Sequence, residues 1–164
     1  MKLKKSWIVV RFRQNEIKLF EQNLKNQKFN FYIPKFTKKV NSKKDKVMTL
    51  FPGYGFIQRT DKGFGAIRYT RGLLSLVKFG ENYAFIEDKI ILSLKELEKV
   101  SQNKPIENVF SVGEEISIES GPFKDYIAKI TSLPSKDRVM IMMSLLGSKK
   151  NITLSIGLIK KKNT

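Results

Sequence analysis

The chain contains no cysteine and no histidine. The first absence excludes disulfides and thiolate metal sites. The second excludes Ser-His-Asp and Cys-His catalysis and any histidine general base. An acid–base enzyme would have to work with Asp, Glu, Lys or Tyr alone, and most carboxylates fall on predicted helix surfaces and turns. The expectation is a protein that is not an enzyme and needs no cofactor and no metal. Acid is scarce as well: 15 Asp+Glu stand against 32 Lys+Arg, a formal net charge of +17. Such a field favours polyanions through counterion release, although frequent Lys, Asn and Ile also fit the drift of an AT-rich genome. No apolar run is long enough to span a membrane. The start, Met1–Trp7, is basic and lacks the apolar core and cleavage site of a secretory signal, so a cytoplasmic protein without a membrane partner is expected.

Only five prolines are present, and each falls at an expected turn or linker. Between them, 164 residues with 41% hydrophobic content suffice for one ordinary domain or two small ones. Trp7–Phe12 is an apolar, β-branched run that reads as a buried strand. Asn15 is a candidate N-cap, followed by Ile17, Phe20 and Leu24 at helical spacing. Phe29–Ile33 is a second strand, stopped by Pro34. Lys38–Lys46 carries five lysines and almost nothing apolar, so it reads as a basic loop or solvated hairpin tip. Leu50–Gln58 begins with a Pro52-Gly53 turn and continues as a strand. Tyr54 and Phe56 share one face, and Gly55 leaves room for close packing. Asp61–Gly65 is a turn, Leu74–Phe79 a strand and Ala84–Ile86 a short extended piece. Asp88 precedes a helix to about Lys99, with Ile90, Ile91, Leu94 and Leu97 inward.

This is α+β material, with helices packed on an antiparallel sheet. The polar, Pro105-bearing stretch Ser101–Glu107 reads as a linker. Beyond it the pattern changes to short strands at Ile116–Ile118, Tyr126–Ile130, Arg138–Ser144 and Asn151–Leu154. Turns at Gly121-Pro122 and Pro134–Asp137 separate them, as in a small β-barrel.

Several motifs now coincide with a known family. Trp7 with Ile8-Val9-Val10, the run Leu50-Phe51-Pro52-Gly53-Tyr54-Gly55-Phe56, and Val112-Gly113 followed by Gly121-Pro122-Phe123 and Leu146-Gly147 together resemble the NusG family of transcription elongation factors. Within it, Thr70-Arg71-Gly72 and Leu76–Gly80 are similar to the RfaH branch of operon-specific antiterminators. The resemblance implies an N-terminal NGN domain over residues 1–100, a linker over 101–109, and a C-terminal SH3-like KOW barrel over 110–164. The KOW motif would rest on Gly113, Gly121, Pro122, Phe123 and Gly147. Asp125 and Ala128 stand where the KOW pattern usually has glycine. The polar gate-loop motif of the RfaH branch has no counterpart near Gly63–Ala66.

From the resemblance come the site expectations. Tyr54, Phe56 and Phe79 would form an apolar patch that receives the β′ clamp helices of RNA polymerase. Arg11, Arg13, Asn23, Gln27, Thr70 and Arg71 would contact non-template DNA, with Asn26 replacing an arginine of the RfaH branch. The KOW part would bind Rho or a small-subunit ribosomal protein, and the factor would act as a monomer that suppresses pausing and termination. In the RfaH branch this part can refold into a helical hairpin, and the methionine-rich run Val139–Leu146 is compatible with either state. Two alternatives remain: a general NusG-type factor working with Rho, and a KOW-type protein that binds RNA or the ribosome.

Overall fold

Each half of the apolar run at the N-terminus faces a different layer, and that decides the architecture. In the computed structural model, residues 6–61, 63–103, 115–118, 138 and 152–155 are described. Strand β1 (Ser6–Phe12) has Ile8, Val10 and Phe12 on one face and Trp7 and Val9 on the other, all at most 2% exposed. A strand buried on both faces needs a continuous apolar sequence, as observed. The chain divides into two compact units, Met1–Ile33 with Pro52–Ile91, and Pro34–Phe51 with Leu92–Thr164.

The first unit is built on an antiparallel sheet. Strand β5 (Tyr54–Gln58) pairs with β1 on one side and with β2 (Phe31–Tyr32) on the other. The far side of β1 is shared by β6 (Leu73–Leu76) and β9 (Phe85–Glu87). Helix α1 (Ile17–Asn26) buries Phe20 and Leu24 against the sheet. There they form one core with Ile8, Val10, Phe12, Ile33, Ile57 and Ile67. Phe12 and Phe20 stack at 4.8 Å between centroids. Asn15 is not the cap: it sits in a 3-10 turn, Gln14–Glu16, and Glu16 takes the cap position without a side-chain bond. The helix closes where Phe29 N–H donates to Leu24 O and Lys28 takes a φ of 60°.

The stretch Leu74–Phe79 is not one strand. Val77 interrupts it, because its N–H donates to Val9 O while its carbonyl accepts from Ala84 N–H. Beyond this point β7 (Lys78–Phe79) pairs, among the described residues, only with β8 (Asn82–Tyr83). A 3-10 turn, Ala66–Tyr69, follows the glycine-bearing turn and buries Ile67. The indole N–H of Trp7 donates to Asp88 Oδ1 at 2.8 Å, tying β1 to the first residue of α2 (Asp88–Asn103). A carboxylate there also complements the helix dipole.

In the second unit the basic segment is an ordered hairpin, β3 (Lys35–Asn41) with β4 (Lys44–Thr49). Its base is buried at Phe36 and Thr37, and its tip is exposed, so the solvated-tip reading describes one end of it. Thr37 N–H donates to Ser101 Oγ at 3.0 Å, and the Ser101 hydroxyl donates to Glu98 O. Ser101–Asn103 are thus helical, within the stretch that the sequence marks as linker. Arg138, itself helical and 1% exposed, stands 5.0 Å from the Phe36 ring centroid. Burial pushes its pKa down to about 10. Strands β10 (Glu115–Ile118) and β11 (Ile152–Ser155) form an antiparallel ladder, where the sequence pattern places strands at Ile116–Ile118 and Asn151–Leu154. Gly113, Gly121, Pro122, Phe123, Gly147 and the run Val139–Leu146 lie outside the described residues. No described helix is long and apolar enough to cross a membrane.

Candidate nucleic-acid and protein interface

The register between β1 and β5 sets the site. Directly opposed residues in an antiparallel pair share a face. Trp7 opposes Gln58, Val9 opposes Phe56, and Arg11 opposes Tyr54. Along this face burial falls from Trp7, Val9 and Phe56 to a half-buried Tyr54 and an exposed Arg11. On the other flank Arg11 opposes Ser75 of β6. Tyr54, Arg11 and Ser75 therefore make one row across three strands, at the open end of the face.

The three residues expected to form an apolar patch differ in exposure and in place. Tyr54 and Phe56 share a face, as alternation requires, but Phe56 is only 1% exposed and presents no ring to solvent. Phe79 is 36% exposed and lies on the β7–β8 ladder, outside the sheet that holds the other two. The chain's turn away from β1 at Val77 separates it from them. Gly55 does have something close against it. An added Cβ would come 3.0 Å from Ile33 Cγ1 and 3.6 Å from Phe12 Cε1, so the space is filled by the unit's own core.

The polar candidates come together more fully. Gln27 Nε2 donates to Thr70 Oγ1 at 2.9 Å, joining the end of α1 to the loop before β6. Asn23 donates to Leu19 O, and its carbonyl accepts from the Gln27 backbone. Arg13 N–H donates to Gly72 O at 2.9 Å, which holds the end of β1 against the same loop. Arg13 also pairs with Glu16 at 3.5 Å, both partly exposed. Thr70 is 4% exposed and positions Gln27, whereas Arg11, Arg13, Gln27 and Arg71 face solvent. Gln27 Nε2 also donates to Asn23 O at 3.3 Å, so the donors open to base edges and phosphates are the exposed guanidinium groups of Arg11, Arg13 and Arg71.

Residues outside the expected set make a second group in the same unit. Tyr69 is 88% exposed beside Thr70. Arg68 donates to the Tyr83 hydroxyl at 2.8 Å, and Lys78 Nζ lies 4.7 Å from the Tyr83 ring centroid. Their signal in the sequence was aromatic residues interleaved with cations, spread over short segments without periodicity.

Comparison with known proteins finds relatives of this sequence. Residues 5–95 match the family profile described as "Transcription termination factor nusG". Over 106 residues the chain is 23% identical to the transcription termination/antitermination protein NusG of Chlamydia trachomatis serovar D, covering 63% of this chain and 58% of that protein. Over 123 residues it is 26% identical to the protein of the same name from Thermus thermophilus, covering 68% and 67%. The chain thus spans just over half the length of the chlamydial relative it matches. A solved structure described as "Domain interaction in Thermotoga maritima NusG" is similar with a TM-score of 0.47 and 23% identity, over 74% of this chain and 76% of that one.

Proposed function

The chain belongs to the NusG family, and from that premise we propose that it is a transcription elongation and antitermination factor that docks on RNA polymerase and suppresses pausing. The observation that supports this reading best is the Arg11–Tyr54 register, which makes the aromatic strand and the cationic edge neighbours on one sheet. Tyr54 and Phe79 supply apolar area for the β′ clamp helices, and the buried Phe56 anchors the strand on the same face as Tyr54. Arg11, Arg13, Asn23, Gln27 and Arg71 then face non-template DNA, while the buried Thr70 holds Gln27 in place. Exposed aromatic side chains are effective anchors because they bring area with few rotors to freeze.

The action is mechanical, with no bond made or broken. A factor that binds one polymerase conformation better than another shifts the population toward it by that difference in affinity. Residues 110–164 form the KOW part and engage a second partner, Rho or a small-subunit ribosomal protein. A general factor that also serves termination is the second reading, because the names of the relatives cover both termination and antitermination.

The test is a pull-down from cell extract with the tagged chain, paired with a pausing assay on purified polymerase. Recovery of polymerase subunits and shorter pauses are expected, with pause suppression lost in Arg71→Glu. Recovery of ribosomal proteins without polymerase would overturn the reading.

A further inference from the structure

The first unit carries a second feature that the polymerase reading does not use. Phe64, Tyr83 and Phe85 form a row of rings. Phe64 meets Tyr83 edge-on at 5.8 Å and Phe85 at 6.0 Å between centroids. Three cations are set on this row. The Arg59 guanidinium lies 5.7 Å from the Phe85 centroid, Lys78 Nζ lies 4.7 Å from the Tyr83 centroid, and Arg68 donates to the Tyr83 hydroxyl. Beside them is a groove of about 330 Å³ whose lining includes Leu73, Leu76, Arg68, Lys78 and Tyr83.

We propose that this aromatic–cation groove binds single-stranded nucleic acid, as a site distinct from the Gln27–Thr70 edge. Among the described residues none of the three cations pairs with a carboxylate. Asp61 and Glu81, the acids nearest in sequence, are both exposed and pair with none of them. A cation held over a ring or by a phenol keeps its full charge and its outward donors, so it remains available to a phosphate. Phe85 is 40% exposed, so part of its ring remains open to a base beside the Arg59 guanidinium. Rings for bases beside cations for phosphates are the two components of sequence-tolerant single-strand binding. An acidic peptide would satisfy the cations and leave the rings without a role. The proposal depends neither on polymerase docking, which is read out through Tyr54, nor on the DNA-facing edge, which is read out through Arg71.

The test uses the full chain and fluorescence anisotropy with oligo-dT, oligo-rU and an abasic deoxyribose-phosphate strand, each of roughly twelve nucleotides, a length within the usual site size. The double variant Arg68→Gln/Lys78→Gln is expected to bind oligo-dT or oligo-rU about tenfold more weakly, with a shallower salt dependence. The hairpin-tip variant Lys43→Gln/Lys44→Gln, with the same loss of charge, should change affinity by less than about threefold. Phe85→Leu keeps an apolar side chain at a half-exposed position. It should erase the preference of the wild type for a base-bearing strand over the abasic one. A preference for dT or for rU names the strand class, and either supports the site. Equal losses in the two double variants would reduce the effect to the general field of the protein. Equal wild-type affinity for the abasic strand, or displacement of oligo-dT by poly-glutamate at matched charge, would overturn base stacking and the proposal with it.

Discussion

At Gly72 the backbone takes a φ of +86°, a region that costs a side-chain-bearing residue about 1–3 kcal/mol. An added Cβ would also stand 3.1 Å from Phe20 Cβ, on a helix that is itself part of the core. Neither partner can yield cheaply, since Phe20 is stacked on Phe12. The carbonyl of Gly72 accepts from Arg13, so the strained residue would also displace one end of the cationic edge. Gly72→Ala is therefore expected to lower unfolding stability by about 2 kcal/mol, measured by urea denaturation, through the positive φ and the tight contact together. It should also weaken oligonucleotide binding beyond what the stability loss explains. A variant as stable as the wild type would show that the loop is not held as described.

At the scale of elements, legibility depended on whether an element was long enough to carry a period. The run Trp7–Phe12 and the spacing Ile17, Phe20, Leu24 stated β1 and the inward face of α1 directly, because both bury a repeating set of side chains. β7 and β8 have two residues each, too few for any pattern, and the switch at Val77 is a matter of backbone partners rather than composition. The Gln27–Thr70 bond joins residues 43 apart, which no spacing argument reaches; only the resemblance put both in one set. Strand alternation placed Tyr54 and Phe56 on one face but could not rank their burial, which is set by what lies above each residue. That ranking matters for mutagenesis. Phe56→Ala, at 1% exposure, is expected to destabilise the fold by about 3–5 kcal/mol, so any loss of partner binding would be indirect. Tyr54→Ala, at a half-buried position on the open end of the face, should weaken polymerase capture while thermal unfolding stays close to wild type. The pair is read by calorimetry alongside the pull-down. Wild-type capture by a folded Tyr54→Ala would remove the aromatic strand from the interface.

For the whole molecule, a formal charge of +17 and an apolar docking strand call for different physics, and salt separates them. Contacts to phosphates release counterions, with a slope of about −0.7 per phosphate for single strands. Six of the exposed cations of the first unit (Arg11, Arg13, Arg71, Arg59, Arg68 and Lys78) could together engage about five phosphates. Raising salt fourfold, as from 50 to 200 mM, is then expected to weaken oligonucleotide binding about a hundredfold. Docking through Tyr54 and Phe79 buries apolar surface, whose contribution salt screens little. Polymerase capture should therefore change by less than about fivefold over the same range, leaving a factor that stays on the enzyme while its grip on nucleic acid loosens. Paired titrations of the full chain against polymerase core and against a labelled oligonucleotide measure both curves. Parallel curves would mean that charge carries the polymerase contact as well, and Tyr54 would lose its place as the anchor. Divergent curves would assign the aromatic and the cationic surfaces of this unit to two partners that are held by different forces.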